Sequence, residues 1–260
     1  MRVEVLVSTM YQDDHSLLEK MNIQTDTIVI NQCNNNEIEE FEYKGHNVKW
    51  ISICERGVGL SRNTALMRSN ADILLFADDD VVYFDDYEKS IIDTFEKYPE
   101  ASLILFNLQS QNPLRPEYIV SVDHRIRWYN CLKYGAFRIA VRKDAILKAN
   151  IYYSLLFGGG ARHQAGEDNL FILQCLKKGL VGISSSTHIG TVKQEESTWF
   201  HGYDEKYYRD RGALFRAMYG KMSYFLLLLF ELKNIRHKSK ITFFNRMKLE
   251  MEGARAFWDI

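Results

Sequence analysis

Proline is scarce, three in 260 residues, and no low-complexity tract is present. The sequence therefore gives no sign of a disordered linker, and it has no internal repeat. Cysteine is scarce too. Cys33, Cys54, Cys131 and Cys175 lack CxxC spacing, which argues against a zinc site or a disulfide frame and reads as reduced, mostly buried thiols of a cytosolic protein. Neither sign of charge is in excess. The formal net charge is −1, so no global basic surplus points to nucleic acid. Long apolar runs are missing as well: the longest, "FLLLLF" at 225–230, is far short of the ~20 residues that span a bilayer. The N-terminal "MRVEVLVSTMYQDD" has one early basic residue and a short alternating apolar segment. It reads as a first strand, not a signal peptide.

Apolar residues, by contrast, make up 46% of the chain, enough for one sizeable core with an appendage. "VEVLVS", "DTIVIN", "VKWISI", "DILLFA" and "SLILFNL" are strand-like, and several are apolar at consecutive positions, as expected when both faces of a mostly parallel sheet are covered. "DDHSLLEKMN", "LSRNTALMRSN" and "DDYEKSIIDTFEKY" read as intervening helices. "FRIAV" and "VGISS" read as later strands around the helix "EDNLFILQCLKK". This alternation predicts an α/β Rossmann-like sheet flanked by helices over 1–203, with a helical C-terminal appendage over 204–260. Ligands bind such sheets at the carboxyl ends of strands. Those ends carry Ser8 and Thr9, Asn31 and Gln32, Glu55, Arg56 and Gly57, and then a run of aspartates.

That run is "FADDDVVYFDD". Asp85 and Asp86 suit the start of the following helix, where acids face the positive end of its dipole. Asp78, Asp79 and Asp80 sit at the strand end, where hard oxygen ligands suit Mg²⁺ or Mn²⁺ with phosphate oxygens completing the shell. Glu167 and Asp168 in "GGGARHQAGEDNLF" have two readings: acids favoured at a helix start, or a general base at the rim of a glycine-rich loop. His188 in "SSTHIGT" is either a structural histidine or a third metal ligand beside the aspartates.

Together, the Ser/Thr ending of strand one, "RGVGLSRNTAL", "LLFADDD" and "GEDNLF" resemble family 2 glycosyltransferases of the GT-A fold, the type that builds bacterial capsular, exopolysaccharide or O-antigen chains. The resemblance covers about residues 1–190, and the two acidic motifs lie about 90 residues apart. It implies a nucleotide-sugar donor, Mn²⁺ or Mg²⁺, and usually an inverting displacement. Asp80 falls on the metal ligand of the family's D-x-D motif, and Asp78 nearer the ribose or the metal's water. Asp168 matches the base, with Glu167 beside it towards the acceptor. Ser8, Thr9, Arg62 and Asn63 match nucleotide-contacting segments, with Asp79 and Arg56 alongside. An Asp that often reads the base in this family is replaced by "INQCN", which leaves Asn31 or Gln32 to bond uracil.

Further on, Trp199 and His201 are candidates for an acceptor lid. Arg209, Arg211 and Arg216 either face a diphosphate or line a solvated helix face, while Phe215 and Met218 read as helix core. Between Leu232 and Leu249, Lys233, Arg236, Lys238, Lys240, Arg246 and Lys248 occur without an acid. Basic residues among aromatics over 222–250 suit peripheral contact with an anionic membrane and a lipid-linked glycan acceptor. The alternative is a solvated face or a contact with a second subunit. The expected location is the cytoplasm, on the inner face of the cell membrane. Two rivals remain. A sugar-phosphate nucleotidylyltransferase carries a Gly-rich loop after strand one, which "VSTMYQDD" lacks; a non-catalytic glycan-binding subunit has no need of the intact acids.

Overall fold

The computed structural model describes residues 1–194, 202–234 and 241–257. In chain order its strands are β1 (Val3–Met10), β2 (Asp26–Gln32), β3 (Glu37–Tyr43), β4 (His46–Ile53), β5 (Ile73–Asp78), β6 (Val81–Tyr83), β7 (Ala101–Ser110), β8 (His124–Arg125), β9 (Ile139–Arg142) and β10 (Val181–Val192). Its helices are α1 (Leu17–Lys20), α2 (Val58–Arg68), α3 (Tyr87–Lys97), α4 (Lys143–Lys148), α5 (Glu167–Lys177), α6 (Glu205–Tyr219), α7 (Ser223–Lys233) and α8 (Phe243–Ala256).

The strands form one mixed sheet in the order β3-β4-β2-β1-β5-β9-β7-β10-β6, with β8 paired to β10. β4, β2, β1 and β5 are mutually parallel, as are β7 and β10. β9 runs antiparallel between β5 and β7. Each face of the sheet has its own core. Leu6, Ile28, Leu74 and Phe76 pack on one side with Leu66 of α2 and Phe171 of α5. Val5, Val7, Val29 and Leu75 pack on the other with Leu18 of α1 and Ile91 of α3. Burial on both faces explains why these strands are apolar at consecutive positions.

All four cysteines are free, and only Cys54 is exposed. The predicted helix "DDHSLLEKMN" shrinks to the single turn of α1. "VVYF", between the two groups of aspartates, supplies β6. That strand pairs with Thr191 and Val192 and so brings the end of β10 beside the aspartates.

The C-terminal helices are held together by buried charge and close backbone contact. Arg211 of α6 binds Glu231 of α7 and Glu250 of α8, and Arg246 Nε donates to Glu231 at 2.7 Å. Arg209 pairs with Glu205 and Glu252, and the buried Arg216 lies over the Tyr224 ring. Arg211 and Arg216 join helices to one another, which corrects both a diphosphate-facing and a freely solvated reading for these two, whereas Arg209 is exposed, as the solvated-face reading has it. Phe215 and Met218 are buried as expected, and Met218 joins the main core. The basic stretch 233–248 is not one face either, because Arg246 is buried and paired; Arg236, Lys238 and Lys240 lie outside the described residues.

α6 and α8 cross at Gly212 and Gly253. A Cβ on either would come within 1.9 Å of a carbonyl oxygen, of Glu250 or Arg209 respectively. Backbone cannot yield as a side-chain end can. Gly212→Ala is therefore expected to destabilise by about 1–3 kcal/mol through overpacking, despite alanine's better helix propensity. Urea denaturation measures it.

Candidate active site

The carboxyl ends of β2, β1 and β5 lie side by side, with Ser8 opposite Asp78 and Thr9 opposite Asn31. Arg62, one turn into α2, is 3% exposed and is the centre of the site. Its Nη2 donates to Asp78 Oδ1 and its Nη1 to Glu167 Oε1, both at 2.8 Å. Its guanidinium also lies 5.2 Å from the centroid of the buried Tyr153 ring. One planar cation thus ties the acidic motif ending β5 to the acidic motif opening α5. Burial opposes the charge on Arg62, but Asp78 and Glu167 outweigh it and hold the pKa above its ordinary value.

Asp168, next to Glu167, is half-buried. Its Oδ1 accepts from the backbone N–H of Asn169 at 2.7 Å. Loss of solvation and the Glu167 charge push its carboxyl up to about 7, against the opposing pull of Arg62. That value suits a group that must take up a proton near neutrality.

The other aspartates have separate settings. Thr9 Oγ1 donates to Asp79 Oδ2 at 2.5 Å. Asp80 accepts at Oδ2 from the Gln194 N–H at 3.2 Å. Desolvation, then the Asp78 charge, push the Asp80 carboxyl up to about 6. Asp86 occupies the N-cap position of α3 but makes no side-chain cap bond. Asp85 instead accepts from Asn22 and Gln24.

A glycine-rich loop roofs this cluster. The Val58 N–H donates to Gly159 O at 2.9 Å. A Cβ at Gly158, where φ is +105°, would lie 2.8 Å from Glu167 Oε2, so bare backbone is required there. α6 pins the loop from behind: Asp210 accepts from His163 Nδ1 at 2.9 Å and from the Gln164 N–H at 3.0 Å.

Several predicted site residues hold the rim instead of facing its interior. The Asn31 amide bonds the backbone of Gln12 in both directions, and Gln32 Oε1 accepts from the Gly57 N–H at 2.6 Å. Ser61 Oγ donates to Ser8 Oγ at 2.8 Å. Asn63 clamps the Tyr153 backbone N–H and C=O. Arg56 donates to the carbonyls of Cys33 and Cys54 and to the Tyr11 hydroxyl. His188 is exposed on β10, with Nε2 3.4 Å from Asn107 Nδ2. It is not gathered with the aspartates: among the described residues no three His, Cys, Asp or Glu side chains form a metal-holding group. The bulges in β10 on either side of His188 alter its register against β7. Trp199 and His201 lie outside the described residues.

Tyr153 and Gln194 were not anticipated. Gln194, at φ +50°, contacts Asp80 through its N–H, and its side chain bonds Glu117 and Ser110. Neither residue belongs to a motif. The only hint for Tyr153 is its place just before the triple glycine.

A mixed sheet flanked by helices, with acids at the carboxyl ends of its central strands and a second acidic pair opening a later helix, defines a GT-A-like α/β fold. The fold is similar to that of S. aureus TarS residues 1–349 in complex with UDP-GlcNAc. The TM-score is 0.65 at 14% identity, over 92% of this chain and 74% of that one. A second structure of the same protein, in complex with UDP, gives 0.63 at 13% identity over 99% and 83%. No family model matches the sequence, and no curated protein matches it.

Proposed function

We propose that the chain is a nucleotide-sugar-dependent glycosyltransferase of the family 2 type, acting by inversion on a hydroxyl of a glycan or lipid-linked acceptor. One observation carries this reading: Arg62 joins Asp78 to Glu167, so that the neighbouring Asp168 carboxyl is within electrostatic reach of Asp78. The UDP-GlcNAc and UDP complexes of the similar fold support a UDP-sugar donor. The diphosphate lies across the carboxyl ends of β1 and β5. The exposed Tyr11 ring, backed by Arg56 at 5.0 Å, offers a flat surface to the base.

Asp79 and Asp80 are hard oxygen donors, and Asp80, its carboxyl raised first by loss of solvation and then by the Asp78 charge, is a group whose ionised form a cation would favour. Without a third protein ligand among the described residues, they fit an ion that takes its remaining positions from diphosphate and water, the habit of Mg²⁺ and shared by Mn²⁺. Bound there, the ion supplies Lewis-acid stabilisation of the departing diphosphate. Asp168 accepts the proton of the acceptor hydroxyl as that oxygen bonds the anomeric carbon. The bond from carbon to phosphate oxygen breaks, and its electron pair leaves with the nucleoside diphosphate. Arg62 keeps Glu167 and Asp78 in register and takes no proton.

Nucleotide release measured with Mn²⁺ across a panel of UDP-sugars tests the proposal. Release with at least one sugar is expected; none with any sugar, with or without acceptor lipid, contradicts it. Asp80→Ala should raise the Mn²⁺ concentration needed for half-maximal release at least about tenfold, since even outer partners of a metal are worth that much.

A further inference from the structure

We propose that the outward face of α7, with the cavity beside it, docks on an anionic membrane surface. α7 is inverted relative to an ordinary surface helix. Ser223, Leu227 and Glu231 face inward and are at most 1% exposed. Met222, just before the helix, and Phe225, Leu228, Leu229 and Leu232 face outward, each between 39% and 61% exposed. Their spacing makes one continuous stripe. A surface of this kind on a folded chain marks an interaction site.

The stripe continues into a cavity of about 510 Å³ that Met222 shares with Trp128, Leu176 and Met218. Trp128 is 50% exposed at its mouth, the amphipathic ring type that settles at headgroup depth.

The charges select the occupant. Lys221 and Lys233 flank the stripe, and Arg125, Arg127 and Lys177 line the cavity, whose walls include no acid. The one acid of α7, Glu231, is turned inward to Arg211 and Arg246. In a two-fold contact between copies this basic border would meet itself, like charge against like. Anionic headgroups complement it, and the apolar stripe enters the acyl boundary below them. The helix lies on the membrane and does not cross it. The stretch Glu205–Lys233 is long and apolar enough by composition, but Gly220, at φ +57°, separates α6 from α7. The 11 residues of α7 reach only about 16 Å, against a hydrocarbon core of ~30 Å. None of this depends on the transfer reaction.

Vesicle flotation tests the inference, with phosphatidylcholine alone or mixed with phosphatidylglycerol. The protein should float with the anionic vesicles, weakly with the neutral ones, and less as salt rises. Phe225→Glu with Leu229→Glu should lower partitioning at least about tenfold, as should Lys221→Glu with Lys233→Glu. Both pairs alter exposed positions, so unchanged circular dichroism and melting are expected. Failure of the native protein to float overturns the proposal, as does undiminished binding by Phe225→Glu with Leu229→Glu. A native dimer that the same substitutions dissociate, without vesicle binding, assigns the face to a second copy and overturns it equally.

Discussion

Replacing Asp168 by Asn is expected to lower kcat by about 10²–10⁴-fold, the range for loss of a positioned general base, while the folded protein becomes more stable above neutral pH. The two effects have one cause. Burial and Glu167 raise the Asp168 carboxyl from 3.8 to about 7, so the folded state binds this proton more tightly than the unfolded chain. The contribution of Asp168 to stability is therefore complete below about pH 4. It declines as pH rises through 4 to 7, as ionisation increasingly favours the unfolded chain. Asn avoids that loss and still accepts the Asn169 N–H through its side-chain oxygen. Denaturation midpoints of the two proteins should nearly coincide at pH 4 and separate by pH 8, with the variant higher. If the proposed transfer is catalysed by the native protein, its kcat/KM should rise with pH through about 7, as the base ionises. A variant with full kcat, or one less stable at pH 8, would remove Asp168 from this role.

Arg62→Met should have the largest effect on stability. It leaves Asp78 and Glu167 facing the same space without a counter-charge, and breaking a buried pair from one side costs about 3–5 kcal/mol. Lysine does not restore the native state, because a point charge cannot present two parallel N–H groups to two carboxylates. Adding Glu167→Gln to Arg62→Met should recover part of the loss, since it removes one of the stranded charges. Urea denaturation of the two single variants and the double variant closes a cycle whose interaction energy isolates the pair. Additive losses would mean that Arg62 does not hold the two motifs together.

Most of the sheet could be read from the chain because burial on both faces of β1, β2, β5 and β7 leaves long apolar runs. β3 escaped notice for the opposite reason. It is an edge strand whose acidic side chains are largely exposed, and only Phe41 and Tyr43 pack against the core, so "EIEEFEY" has no apolar run to signal it. The strand "FRIAV" was legible but its antiparallel direction was not, since direction is set by partners on both sides. Asp78 and Asp168 stood out as acids at element ends. Arg62 and Asn63 looked alike as neighbours in "GLSRN", yet one helical step turns them apart. Arg62 faces the acids, whereas Asn63 fastens the backbone of Tyr153. Asn31 has the right chemistry to bond a base, but the Tyr11–Gln12 turn uses both ends of its amide. Local sequence reports which groups are available; only the packing of distant segments decides which of them are already engaged.

Titration calorimetry of UDP into the protein, with and without Mn²⁺, tests most directly whether the two acidic motifs form one nucleotide-sugar site. UDP should bind the native chain in a Mn²⁺-dependent way and Asp80→Ala much more weakly. Asp168→Asn should bind UDP as the native chain does while failing to turn over its sugar. Absence of UDP binding by the native chain in Mn²⁺, or equal binding by Asp80→Ala, would contradict the account.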